Sequence, residues 1–75
     1  MGIRLVGEWS GGQRYEVYAS GDAGDYRLGV AQLPSGRWQW WVSRQCPGEN
    51  GWYGYGEGEA ETMEAARAAA VARVQ

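Results

Sequence analysis

At Ala60 the chain changes character. All 13 glycines and all ten large aromatics, five Trp and five Tyr, precede that point. From Ala60 onward the chain reads Ala-Glu-Thr-Met-Glu-Ala-Ala-Arg-Ala-Ala-Ala-Val-Ala-Arg-Val-Gln, rich in the best helix former and free of Gly and Pro. A segment of aromatic strands punctuated by glycine, followed by one run of helix formers, predicts an α+β fold. The expected form is a small antiparallel β-sheet of three to five strands packed against one C-terminal α-helix over 60–74. Thr62 is the candidate N-cap, Glu61 and Glu64 suit the positive end of the helix dipole, and Arg73 suits the negative end. Met63, Ala66, Ala70 and Val74 recur at helical spacing and form the face expected to lie on the sheet.

The glycines fall between aromatic segments rather than in one tract, so they mark turns. Strands are expected over 3–9, 14–19, 25–33, 37–44 and 51–55. Ser10-Gly11-Gly12-Gln13 joins the first two as a hairpin. Pro34-Ser35-Gly36 joins the next two, with Pro presetting φ and Gly accepting the left-handed position. The fifth strand comes after a Cys46-Pro47-Gly48 turn, and its own glycines weaken the strand signal. Period two sets Trp38, Trp40 and Val42, with Tyr26, Leu28 and Val30, on the more apolar face, which should meet the helix. Trp41 and Arg27 then lie on the opposite face, which a single helix cannot cover. The residues leave open whether the first hairpin joins the sheet or folds over that face.

With 75 residues, 1–75 reads as a single domain. A chain this size buries about 60% of the surface exposed when unfolded, which leaves little core from which to carve a substrate cavity. No apolar run approaches the ~20 residues that cross a bilayer, and the N-terminal residues lack signal-peptide features, so a cytoplasmic protein with no membrane partner is expected. There is one cysteine, Cys46, and no histidine, so neither an internal disulfide nor the common zinc and haem signatures are present, and no cofactor or metal is expected. Basic charge comes from seven arginines with no lysine, against nine acids, for a net charge of -2. That balance does not advertise nucleic acid.

The inventory for catalysis is thin. No histidine can act as a base near neutral pH, the one thiol sits beside proline, and the carboxylates Asp22, Asp25, Glu57, Glu59 and Glu61 lie in glycine-rich stretches where acids are usually solvated. The chain is therefore expected not to be an enzyme. Gly54, Gly56 and Gly58 superficially suggest a phosphate loop, but acids intervene and the P-loop lysine is missing. Glu49, Glu57, Glu59, Glu61 and Glu64 concentrate five of the nine acids in one stretch, with no arginine between Arg44 and Arg67. They are either a solvated, dipole-compatible surface or a set of carboxylates offered to a basic groove.

Tyr26-Arg27-Leu28-Gly29-Val30, Gly36-Arg37-Trp38, Trp52-Tyr53-Gly54 and Glu64-Ala65-Ala66-Arg67-Ala68, in that order, resemble the plant ethylene-response-factor DNA-binding domain and the related arm-binding domains of phage and transposon integrases. The resemblance spans about two thirds of the chain. It implies a three-stranded antiparallel sheet backed by one helix, with a DNA-facing sheet surface rich in arginine and tryptophan. On that surface Arg27 and Trp52 match, whereas Ala31, Leu33, Ser35, Trp41 and Ser43 occupy the remaining positions, so most of the charged contacts are missing.

The leading functional expectation is a small protein-binding module acting on a host protein or protein complex. In analogy with small accessory proteins of phages and mobile elements, it would inhibit a host defence or nucleic-acid-handling machine, as anti-CRISPR proteins do, by steric or acidic-surface blockade. Its partner-binding residues would be Arg27, Trp41 and Trp52, joined by Glu57, Glu59, Glu61 and Glu64. The alternative is sequence-tolerant DNA binding, with Arg27, Arg37 and Arg44 on phosphates and Trp41 or Trp52 stacking on bases. A third reading is self-association, so the chain would be a monomer or a homodimer.

Overall fold

A computed structural model describes residues 3–11, 14–21, 24–45, 48 and 51–75. Five strands, β1 (Ile3–Gly11), β2 (Arg14–Gly21), β3 (Gly24–Gln32), β4 (Trp38–Gln45) and β5 (Tyr53–Ala60), precede one helix, α1 (Met63–Val74). The strands form a single antiparallel sheet in the order β1-β2-β3-β4-β5, each paired with its neighbour in sequence. The fold is α+β, as the change of composition at Ala60 implied. The first hairpin joins the sheet and does not fold over it. The β1–β2 hairpin thereby forms one edge of the sheet, and β5 forms the other.

The alternation of side chains places the core as the sequence suggested. Val17, Ala19, Tyr26, Leu28 and Val42 from the sheet pack with Ala70 and Val74 from α1, and Val30 and Ala66 are buried as well. Alanine at positions 66 and 70 lets the helix backbone approach β3, β4 and β5 closely, while Met63 at the same face is half-buried. Helix entry is fixed by Thr62, whose Oγ1 accepts from the Ala65 N–H at 3.1 Å while its carbonyl accepts from Ala66 at 3.0 Å. The β3–β4 turn obeys its residue types: the Gly36 N–H reaches the Leu33 carbonyl at 2.9 Å, Arg37 O accepts from Leu33 at 2.7 Å, and Gly36 takes φ +94.

The C-terminal boundary differs from expectation. The fifth strand runs on to Ala60 rather than ending at 55, and the helix begins at Met63 rather than at 60. The stretch Gly-Glu-Gly-Glu-Ala after Tyr55 gives no strand signal because its inward positions, Gly56 and Gly58, are glycines that show no apolar alternation. The side chains that fill those positions come from elsewhere. A Cβ at Gly58 would stand 2.8 Å from the indole nitrogen of Trp40, its register partner. One at Gly56 would stand 2.8 Å from the Arg73 side chain. A register shift between Val42 and Ser43 leaves Tyr55 as the extra residue of β5, packed on Tyr26 with ring centroids 5.5 Å apart. Gly12, Gln13, Asp22, Cys46, Pro47 and Glu49, which carried sequence-based expectations about turns and acids, lie outside the described residues.

Candidate functional site

The strand register turns the face away from α1 into a map. From Val17, Ala19, Leu28 and Val42 on the covered face, alternation puts Arg14, Glu16, Tyr18, Asp25, Arg27, Gln39, Trp41 and Ser43 on the open face. One row across the sheet reads Val6, Tyr18, Arg27, Ser43, Gly54, and the next reads Ser10, Glu16, Gly29, Trp41, Glu57. Glu59 lies one row further on, opposite Gln39.

Trp41 lies flat on this surface. Its partner across the β3–β4 pair is Gly29, and a Cβ there would fall 2.1 Å from the indole, so only glycine admits the ring in this position. On its other side stands the Arg14 guanidinium, 4.5 Å from the ring centroid. Arg14, Gln39, Trp41 and Glu57 line a shallow hollow of about 260 Å³. Toward the other end of the sheet, the Arg27 guanidinium stacks 5.0 Å from the centroid of Trp52, whose ring tilts against Tyr18 at 6.2 Å. Beside them runs a groove of about 370 Å³, lined by Arg4, Val6, Tyr18, Ser20, Asp25 and Trp52.

Of the seven residues expected to meet a partner, five share this face. Arg27, Trp41 and Trp52 are half-buried in their stacks, and Glu57 and Glu59 project from β5, a strand and not the loop that the glycines suggested. Glu61 lies in the bend before the helix and Glu64 in its first turn, both exposed, so the acids continue from the sheet edge around to α1. Glu59 forms an ion pair with Arg37 at 3.1 Å. The three arginines grouped for DNA binding do not share a face. Arg44 pairs in register with buried Tyr26 and lies over Tyr55 on the helix side.

Sequence reasoning missed Arg14 and Tyr18, because their role depends on the first hairpin joining the sheet. It also missed the use to which arginine is put. Arg14, Arg27, Arg44, Arg67 and Arg73, five of the seven, lie over aromatic rings. Arg67 reaches from the helix to Trp9 and Tyr15 of the first hairpin at 5.1 and 5.4 Å, and Arg73 covers Tyr55 at 4.1 Å. A planar guanidinium can lie flat on such rings, which an ammonium cannot, so arginine suits these positions better than lysine. In the composition, ten aromatics accompanied by arginine and no lysine were the available signal.

No family model, curated protein or solved structure matches the chain. Among the described residues, no helix is long and apolar enough to cross a membrane.

Proposed function

We propose that this chain is a non-enzymatic protein-binding module whose contact surface is the open face of the sheet. The observation that carries the reading is the company Trp41 keeps. Its guanidinium neighbour and the carboxylate of Glu57 line one hollow, with Glu59 in the next row, so the face presents both signs of charge around a large aromatic. Such a surface suits a protein partner, where Trp and Arg dominate binding energy within a polar rim. A polyanion would meet Glu57 and Glu59 directly, and most of the arginines that would attract it are stacked on rings or, like Arg37, paired. The acidic run from Glu57 to Glu64 would engage a basic surface on the partner. Blockade of a host nucleic-acid-handling machine, the anti-CRISPR-like action, is the inhibitory form of this proposal.

The test is a backbone amide titration of the labelled chain with short duplex and single-stranded DNA, at low and then at high salt. The protein-binding reading expects no shifts on the open face at low salt. Shifts around Arg27, Trp41 and Trp52 that vanish with salt would replace it with DNA binding.

A further inference from the structure

Four large apolar side chains are exposed among the described residues, and three of them share one hairpin. Leu5 is 39% exposed, Val6 53% and Tyr18 51%, all in β1–β2, while Tyr53, at 55%, stands alone on β5 at the opposite edge. Their placement is specific. Leu5 is the register partner of buried Ala19 and faces the helix side, whereas Val6 pairs with Tyr18 on the open side. β1 thus exposes apolar side chains on both faces at consecutive positions, and it is an edge strand whose outer backbone groups have, among the described residues, no neighbouring strand. An edge is ordinarily blunted by charge, by proline or by a bulge. Here the register shift between Val6 and Ser10, with Gly7 at φ +86, blunts the far half and leaves Ile3–Val6 in regular pairing with β2.

Charge selects what this stretch can accept. Ile3–Val6 contains one ionisable side chain, Arg4, which is exposed and, among the described residues, has no carboxylate within ion-pair distance. Arg14 and Arg37, by contrast, have Glu16 and Glu59 at 3.5 and 3.1 Å. A second copy added antiparallel about Arg4 would set two guanidiniums against each other. On the open side, the groove bounded by Arg4, Val6, Tyr18 and Trp52 lies directly beside β1 and has room for one bulky side chain. Trp52 already has the Arg27 guanidinium over its ring, which takes the stacking face that a nucleobase would need.

We infer that β1 is a docking edge for an extended acidic-apolar segment of the protein partner, which adds a sixth strand along Ile3–Val6. Main-chain hydrogen bonds supply attachment, an acidic residue faces Arg4, and consecutive apolar residues face Leu5 and Val6 on opposite sides of the sheet. The inference rests on the partner being a protein, and it assigns that partner's chemistry at one edge.

The experiment uses the labelled full chain and two synthetic peptides, Ser-Glu-Val-Val-Glu-Ser and Ser-Lys-Val-Val-Lys-Ser, both blocked at their termini. The glutamate peptide should shift the amides of Ile3–Val6 and slow their hydrogen exchange. The lysine peptide should bind about tenfold more weakly or less, and Arg4→Glu should reverse the preference. Arg4 is exposed, so the variant should keep the wild-type circular dichroism. Equal binding of the two peptides, no response to the glutamate peptide, or β1 shifts that grow with protein concentration alone would each overturn the inference. Lysine-peptide shifts confined to the Trp41 and Glu57 end would overturn it while leaving the protein-binding reading intact. Oligothymidylate shifting β1 and both indoles would overturn both.

Discussion

Trp40 and Trp41 are neighbours in β4, and each lies across a glycine of the adjoining strand, yet their surroundings are opposite. Trp40 covers Gly58 on the face that α1 closes, and it packs against the core cluster. Trp41 covers Gly29 on the face opposite α1, and the Arg14 guanidinium lies over its ring. The same local device, an aromatic laid over a glycine, serves stability on one face and presentation on the other. A sheet with one helix has one face to stabilise it and one face free for contact, so substitutions on the two should separate in cost.

The largest effect is expected at the centre of the covered face. Leu28 is fully buried between β2, β4 and the helix, and Leu28→Ala should destabilise the domain by about 2–5 kcal/mol, read from chemical denaturation. For a 75-residue domain that is a large fraction of the total stability, and a fully folded variant with an unchanged midpoint would mean that the core lies elsewhere.

The paired glycines sharpen the comparison. Gly58→Ala pushes a methyl against Trp40, which has the core cluster around it, and should cost about 1–3 kcal/mol. Gly29→Ala creates the closer clash, 2.1 Å against 2.8 Å, but the Trp41 indole can swing outward into solvent. Gly29→Ala should therefore cost less than Gly58→Ala, and red-shift the tryptophan emission as the ring leaves its stack on Arg14. Equal costs would show that the open face is as constrained as the covered one.

At the start of α1 the expected effect is smaller. Thr62→Ala removes one cap hydrogen bond and should lower stability by about 1 kcal/mol, with loss of amide protection at Ala65 before the rest of the helix. A loss spread evenly over α1 would mean that the helix is held by packing alone.

Much of this division was legible in the sequence. The cap at Thr62, the turn at Gly36, the inward set Tyr26, Leu28 and Val42, and the small helix face of Ala66 and Ala70 all derive from residue type and period, since each depends only on local neighbours. What was not legible depended on partners distant in sequence. The second half of β5, beyond Tyr55, hid because its inward glycines are filled by Trp40 and Arg73, so its apolar content sits in other elements. Arg14 and Tyr18 joined the candidate surface only through the β2–β3 register, and the β1 edge acquired meaning only because the first hairpin extends the sheet rather than covering it. The open-face location of Trp41 was readable from period two. Its confinement by Gly29 required knowing which residue stands opposite.

The smallest effect belongs to the rim of the open face, where Glu59 and Arg37 pair with side chains 51% and 47% exposed. Glu59→Gln should change stability by no more than roughly 0.2–1 kcal/mol, because water screens such a pair and ordering two long side chains opposes it. The difference from wild type should shrink further as salt rises from low to high concentration. If the proposed contact surface includes Glu59, the same substitution should weaken partner association by slowing the on-rate in a salt-dependent way, while the folded domain barely registers the change. A residue that costs almost nothing to the fold and measurably alters association is what a contact face predicts, whereas a stability loss comparable to that of Thr62→Ala would place Glu59 among the structural ion pairs.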